Sequence, residues 1–184
     1  IITVAIDSPA AAGGGTQAQL IAKKYNLQHL DTGRIYRIIG KIRLDNSKKF
    51  NYSFIKKKIK NLNMNSLKNK KLLSDKVATS ASIVAKDKKI RDIVHKFQQK
   101  YAYSPPLKYS GSVLDGRDIT SIQMKNATFK FYITANIKVR AMRRYKEYKA
   151  LKKKINLKQK QKRQKNSNKT KKKKKYRQNK KTKK

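Results

Sequence analysis

Hydrophobic and polar positions switch between the periods of strand and helix over the first 45 residues. An apolar run over residues 2–6 predicts a buried β-strand, and residues 16–25 have the amphipathic spacing of a helix. A second apolar run over residues 27–31 predicts another strand, and isoleucines recur at helical spacing over residues 34–44. This alternating order predicts an α/β fold with a parallel sheet.

The middle of the chain is more polar and its elements are shorter. Residues 46–72 are rich in Lys, Asn and Ser around an apolar stripe, which predicts short helices or strands on a solvated connection. Residues 76–100 have the apolar spacing of a helical region. Residues 112–115 and 129–134 are the next strand candidates, and residues 137–151 predict a basic helix.

The net charge of +42 is concentrated towards the end of the chain, where residues 151–184 hold 19 basic side chains and no acidic one. Beyond about residue 158 only polar side chains and Tyr176 occur, so this segment has nothing with which to form a core. We therefore predict a disordered Lys-rich tail over residues 156–184. Such a tail is either simply solvated or a site of non-specific polyanion binding, and its charge alone favours neither.

Composition also excludes several kinds of site. The chain has no cysteine and two histidines, which excludes disulfides and thiolate metal sites and leaves too few ligands for a histidine-based metal site. No apolar run approaches the roughly 20 residues that a membrane span needs. The expectation is a cytoplasmic protein without a membrane partner, and nothing in the sequence requires more than a monomer.

The segment between the first strand and the first helix has the composition of a phosphate-binding loop. It consists of Ser8, Pro9, Ala10, Ala11, Ala12, Gly13, Gly14, Gly15 and Thr16. The general pattern G-x-x-x-x-G-K-[ST] is kept at Gly13 and Thr16, whereas Ser8 replaces the first glycine and Gly14 replaces the lysine. Such a loop directs backbone N–H groups at phosphate oxygens at the positive end of a helix. The open alternative is a Gly/Ala-rich turn that binds no ligand.

The two replaced positions have different consequences. Ser8 strains the turn if its position requires a positive φ. The absent lysine removes a cation that stabilises the transferring phosphoryl group, and loss of one such stabiliser costs on the order of 10²–10³ in rate. The hydroxyl of Thr16 is placed to help hold Mg²⁺.

Four further motifs follow the loop in order: DTGRIYR at residues 31–37, SASIVA at residues 80–85 with IR at 90–91, DGRDI at residues 115–119 and RAMRRY at residues 140–145. Together with the loop, they resemble the bacterial cytidylate kinase family over residues 1–155. There the loop reads Gly-Pro-Ala-Ala-Ser-Gly-Lys-Gly-Thr. The family's last segment, which completes a lid and adds a final strand and helix, has no counterpart here.

The resemblance implies a P-loop kinase fold of three layers, a parallel sheet with helices on both faces. It implies transfer of the γ-phosphoryl group of ATP to CMP or dCMP with Mg²⁺. The kinase domain would span residues 1–155, with an insertion that binds the nucleoside monophosphate at about 46–110 and the start of a lid at 137–155, so that the fold is truncated at the lid.

The resemblance also implies roles for single residues. Thr32 and Arg37 would meet the phosphate or ribose end of CMP. Ser82, Arg91 and Asp118 would read the cytosine and its surroundings. Arg117 would neutralise phosphates together with Arg143 and Arg144, the latter two acting as catalytic residues. These residue types suit the chemistry, because arginine binds phosphate oxygens bidentately and acceptors pair with the cytosine amino group.

Each assignment has a structural alternative. Arg37 could be a surface arginine, Asp118 a helix cap and Ser82 a small packing residue, while Arg143 and Arg144 could belong to an ordinary basic helix face. For the function, the alternatives are an inactive nucleotide-binding remnant, because Gly14 and the tail both favour loss of activity, and a basic nucleic-acid-binding protein that uses the tail.

Overall fold

The computed structural model describes residues 1–150. Four strands and six α-helices occur in that range. They are β1 (Ile2–Asp7), α1 (Gly14–Lys24), β2 (Leu27–Asp31), α2 (Thr32–Asp45), α3 (Tyr52–Lys60), α4 (Asp75–Val84), α5 (Lys88–Tyr103), β3 (Gly111–Gly116), β4 (Phe129–Tyr132) and α6 (Ile137–Ala150). The strands predicted from the apolar runs, the first two helices and the basic helix are confirmed to within a few residues.

The four strands form one parallel sheet in the order β2-β3-β1-β4. Val4 of β1 is level with Val113 of β3 and with Phe129 of β4. Because all strands run the same way, their carboxyl ends meet at one edge of the sheet. That edge carries the phosphate loop after β1, the start of α2 after β2 and the DGRD segment after β3.

Alternating side chains of the strands serve two cores, one on each face of the sheet. Val4, Ile6 and Val113 pack with α1 through Ala18 and Ala22. The other face is covered by α2 and α5, and its core contains Ala5, Leu30 and Leu114 of the strands together with Ile35, Ile39, Ile90 and Val94 of the helices. The three-layer α/β fold, with helices on both faces of a parallel sheet, is confirmed.

The helical region predicted over residues 76–100 is confirmed, and it consists of two helices. Helix α4 ends at Val84 and α5 begins at Lys88. The carboxylate of Asp87 accepts a hydrogen bond from the backbone N–H of Ile90 at 3.1 Å and caps the second helix. A capping aspartate satisfies one of the free N–H groups of a first helical turn, which explains why the helix restarts here.

Two other regions refine the expectations. Residues 46–72 form α3 and short 3-10 helices at Ser47–Lys49, Met64–Lys68 and Lys70–Leu73, and no strand lies in this described segment. A π-helical turn at Ile119–Gln123 follows the DGRD segment and was not predicted. Its first N–H and the Thr120 hydroxyl donate to the carboxylate of Asp7, at 2.6 Å and 2.7 Å, which ties this turn to the end of β1.

Strand β4 lies at the edge of the sheet, and all four of its residues are exposed. Three predictions fall partly or wholly outside the described residues. They are the last residue of the basic helix at 151, the part of the lid start at 151–155 and the whole tail at 156–184. Among residues 1–150, no helix is long and apolar enough to cross a membrane.

Candidate active site

The loop after β1 has the backbone of a phosphate cradle. Gly13 precedes α1 with φ of 105°, a conformation that a side chain would strain, and Ala11 adopts φ of 61°. No side chain caps the first turn of α1, so the free backbone N–H groups of this turn have no acceptor from a capping side chain. Ser8 is not among the described residues with positive φ, so it causes no strain of that kind.

Ser8 nevertheless constrains its neighbour across the loop. A Cβ atom added at Gly14 would overlap the hydroxyl oxygen of Ser8 and would lie 2.6 Å from its Cβ. Both contacts are closer than any that real Cβ atoms make. The two positions at which this loop departs from the P-loop pattern therefore touch each other in space.

Asp115 at the end of β3 faces the same loop. A Cβ added at Gly15 would lie 3.3 Å from Asp115 Oδ2, which places this carboxylate beside the start of α1. The His29 ring donates from Nε2 to Asp115 Oδ1 at 2.6 Å. Burial raises the pKa of the Asp115 carboxyl; the hydrogen bond from His29 opposes this rise, and the nearby charge of Asp31 adds to it.

Arg143 reaches the loop from α6. Its Nη1 donates to the carbonyl oxygen of Ala12 at 3.0 Å and contacts that of Ala11 at 3.4 Å. The same nitrogen would lie 3.5 Å from a Cβ added at Gly13. The interpretation of Arg143 as an ordinary member of a basic helix face therefore leaves out its contact with the loop.

Arg144 points elsewhere, although it follows Arg143 directly. It donates to Glu147 Oε2 at 2.7 Å and lies over the ring of Tyr148, 4.7 Å from the centroid. Burial disfavours its charge, but Tyr148 and the hydrogen bond to Glu147 outweigh burial and raise the pKa of Arg144. Burial, together with the charge of Arg144, lowers the pKa of Arg37.

Arg37 is held at its tip by the protein itself. Its Nη1 donates to the carbonyl oxygen of Leu72 at 2.7 Å, and the side chain is half-buried. This contact orients the guanidinium between α2 and the 3-10 segment before α4. A freely solvated surface arginine, the alternative considered for Arg37, would not be oriented in this way.

A second group forms around Tyr36, the residue that directly precedes Arg37 on α2. Burial raises the pKa of Tyr36 to about 12, while the charges of Arg91 and Asp118 act on it in opposite directions. Asp118 occupies the N-cap position of the π-helical turn with φ of 60°, but its side chain makes no capping hydrogen bond there. Arg91 is exposed and Asp118 is half-buried, so both charged groups are accessible to a ligand.

The remaining predicted site residues are Thr32, Ser82, Arg117 and Thr16. Thr32 is buried, and its hydroxyl donates to the backbone oxygen of Asp115 at 2.9 Å, which joins the ends of β2 and β3. Ser82 is exposed on α4 and donates to Thr79 O at 2.7 Å, whereas the serine that packs inside is Ser80. Arg117 and Thr16 are exposed at the carboxyl edge of the sheet and beginning of α1.

Sequence reasoning missed the pair formed by Asp115 and His29. The signal for Asp115 was present, because an acidic residue directly ends a buried strand that neighbours the loop-bearing strand. His29 carried no such signal. Its pairing with a residue 86 positions away becomes visible only when β2 and β3 lie side by side.

A separate groove of about 1400 Å³ is lined by residues of β2, α3 and α5. It shares His29 and Asp31 with the site described above, but none of the phosphate-loop residues lines it. Its rim is basic and includes Lys56, Lys60, Lys96 and Lys100. We place the candidate active site at the loop-bearing edge, because the loop, Asp115 and Arg143 converge there.

Comparison with known proteins gives one consistent result. A family model described as cytidylate kinase matches residues 4–183. A curated cytidylate kinase of Bartonella quintana is 42% identical over 149 residues, which are 78% of this chain and 66% of that protein. One of Sinorhizobium medicae is 39% identical over 145 residues, again 78% of this chain and 66% of the relative. One of Fusobacterium nucleatum is 36% identical over 167 residues, 85% and 73% of the two chains. The chain thus spans about two thirds of the length of the first two relatives.

Proposed function

This chain belongs to the cytidylate kinase family, and we propose that it transfers the γ-phosphoryl group of ATP to CMP or dCMP, giving CDP or dCDP. The observation that carries the proposal is the position of the phosphate loop at the carboxyl edge of one parallel sheet, with Asp115 and Arg143 beside it. The charges of Arg37 and Arg144, and those of Arg91 and Asp118 near Tyr36, add support. Ligands of open α/β sheets bind at this edge.

The ATP half of the site uses the loop. Backbone N–H groups at the start of α1 would bind phosphate oxygens, assisted by the positive end of the helix. Mg²⁺ bound with ATP would neutralise charge on the phosphates as the bond to the leaving oxygen breaks. The residues suit a hard cation that keeps most of its ligands as water and phosphate, because Thr16 offers a hydroxyl and Asp115 a carboxylate beside Gly15.

The monophosphate half of the site uses the residues on α2, α4, α5 and the DGRD segment. Arg37 and Arg144 would bind the phosphate of CMP, with Thr32 fixing the backbone between them and Asp115. Arg91, Asp118 and Ser82 would recognise the base, and the Asp118 carboxylate is an acceptor for the cytosine amino group. Arg117 remains a proposed phosphate ligand.

Phosphoryl transfer requires the protein to position the two substrates and to supply positive charge around the transferred group. The phosphate oxygen of CMP attacks the γ-phosphorus in line, and charge spreads over the equatorial oxygens of the transferred group. We assign no general base, since the attacking phosphate is already an anion. Arg143 and Arg144 are the proposed catalytic cations.

One specific observation favours a second candidate, an inactive nucleotide-binding remnant. Gly14 stands where the loop lysine of the family lies, and the space beside it is filled by Ser8. If no other cation replaced that lysine, nucleotides would bind without efficient transfer.

The test is a coupled assay of ADP release with the full chain, ATP, Mg²⁺ and CMP, with each substrate omitted in turn. The proposal predicts ADP release that requires CMP, with a rate on the order of 10²–10³ below that of a lysine-bearing enzyme if nothing replaces the lysine. Binding of CMP and ATP without ADP release would support the remnant. Absence of CMP binding by calorimetry would contradict both.

A further inference from the structure

The space beside Gly14 is closed to every side chain as long as position 8 is serine. Rotation of the Ser8 hydroxyl does not open it, because the Cβ of Ser8 lies 2.6 Å from the place that a Cβ at Gly14 would occupy, and the Ser8 Cβ is fixed by the backbone. Gly14 is itself buried in the first turn of α1. Its φ is not positive, so an L-residue would suit the backbone there if the space were free. The obstacle is the side chain of Ser8.

The charge that a lysine at position 14 would bring is available from another element. Arg143 lies on the loop through Nη1, and its side chain is otherwise exposed on α6. A guanidinium carries five N–H donors in a fixed plane, and the two loop contacts are made by one nitrogen. A phosphate bound in the loop would meet the other donors of the same group.

The helix that carries Arg143 is anchored to the rest of the protein. Ala141 and Tyr148 of α6 are buried, and the Tyr148 hydroxyl donates to Asp75 Oδ1 of α4 at 2.5 Å. Arg144 instead donates a hydrogen bond to Glu147 and lies over the ring of Tyr148. Arg143 and Arg144 therefore have different contacts and different proposed roles. An anchored helix delivers Arg143 to the loop at low entropic cost, as a positioned catalytic cation requires.

We propose that Ser8, Gly14 and Arg143 are one coupled replacement of the P-loop lysine: Ser8 occupies the space of the lysine stem, and Arg143 supplies the cation for the β- and γ-phosphates of ATP. The inference rests on the proposed function and deepens it. It makes Arg143 specific for the triphosphate end of ATP. It also means that the residue at position 8 decides whether position 14 can carry a side chain.

The first experiment measures equilibrium affinity, which does not depend on turnover. The full chain and Arg143→Ala are titrated with a β,γ-imido analogue of ATP and with AMP, which has no β- or γ-phosphate. We expect Arg143→Ala to weaken binding of the analogue by about tenfold to a hundredfold and to leave AMP binding unchanged. Arg143→Lys should recover part of the loss. Lys146→Ala, a basic and exposed position on the same helix, is the matched control.

The second experiment tests the coupling of positions 8 and 14. Gly14→Lys alone should lower the melting temperature and weaken analogue binding, because its stem collides with Ser8. Ser8→Gly with Gly14→Lys should restore the melting temperature. Placed in the Arg143→Ala chain, the same pair of changes should recover analogue binding by about tenfold.

Three results would overturn the inference, each in a distinct way. Equal analogue binding by Arg143→Ala and the parent excludes Arg143 as the loop cation. Equal stability of Gly14→Lys with and without Ser8→Gly excludes Ser8 as the steric obstacle to a side chain at position 14. A parent chain that binds neither CMP nor the analogue contradicts the proposed function itself, whereas CMP binding with unaltered analogue binding in Arg143→Ala contradicts this inference alone.

Discussion

At the scale of single residues, the contact between His29 and Asp115 is a polar feature that sequence patterns did not indicate. The ring nitrogen and the carboxylate oxygen are 2.6 Å apart, and the side chain of Asp115 is 9% exposed. A buried carboxylate is costly unless it is hydrogen-bonded. The hydrogen bond from His29 therefore offsets part of the cost of burying this carboxyl group beside the phosphate loop.

This pair predicts a pH-dependent effect of removing His29. Because the pKa of Asp115 is raised in the folded state, its contribution to stability is present below the unfolded pKa and is lost as pH rises through the folded pKa. Without the opposing hydrogen bond from His29, that loss becomes larger. We expect His29→Ala to lower the free energy of unfolding by about 1–3 kcal/mol near neutral pH and by less near pH 4.

Urea denaturation of both chains at the two pH values measures this difference. The charges of Asp31 and Arg34 also affect the pKa of Asp115. The control therefore keeps both residues and replaces the carboxylate of Asp115. In an Asp115→Asn background, His29→Ala should have the same effect at both pH values. An effect of His29→Ala that does not change with pH in the parent chain would mean that the pair contributes packing only.

At the scale of elements, the packing of α2 on α4 is tight and depends on Gly40. A Cβ added there would lie 2.6 Å from the backbone nitrogen of Ala81 and 3.0 Å from its Cα. Backbone atoms cannot move aside as a flexible side chain does. The two helices that carry Arg37 and Ser82 are thus held together at a point where only glycine fits.

We expect Gly40→Ala to destabilise the protein by about 1–3 kcal/mol, since overpacking forces the helices apart. Thermal unfolding measures the change. Gly33→Ala is the matched control on the same helix, because Gly33 is exposed and its added Cβ would meet only the Asp31 side chain, at 3.3 Å. Destabilisation of the two variants by the same amount would show that the α2–α4 contact tolerates a methyl group.

At the scale of the whole molecule, the dominant property is the charge of +42. Like charges repel, and a compact chain holds them closer together than an unfolded one. Salt screens this repulsion, because the Debye length falls from about 30 Å at 0.01 M to about 3 Å at 1 M.

We therefore expect the melting temperature to rise as NaCl is increased over that range. As a control, the melting temperature is measured by the same calorimetric scan in a neutral osmolyte of matched osmolality. This control distinguishes screening of the protein's charges from exclusion of the solute from the protein surface. A melting temperature that is constant or falls with NaCl would contradict the importance of self-repulsion.

The sequence predicted the parts of this molecule that depend on local period and on short motifs. The four strands, α1, α2 and the loop between Ser8 and Thr16 follow from spacing that neighbouring residues already carry. The boundary between α4 and α5 was not predicted; it lies where the apolar spacing is interrupted between Val84 and Ile90 and the carboxylate of Asp87 caps the second helix. The contact of Ser8 with Gly14 and that of Arg143 with the loop depend on how the chain folds back on itself, which no local pattern contains.

The most direct test of the proposed kinase activity is transfer of label from γ-³²P-ATP to CMP by the full chain under single-turnover conditions, with incubation long enough to detect a slow enzyme. We expect labelled CDP that depends on Mg²⁺ and on CMP and that is strongly reduced in Arg143→Ala. If CMP and ATP both bind but no labelled CDP forms, the carboxyl edge of this sheet is a nucleotide site without kinase chemistry, and the proposed activity is wrong.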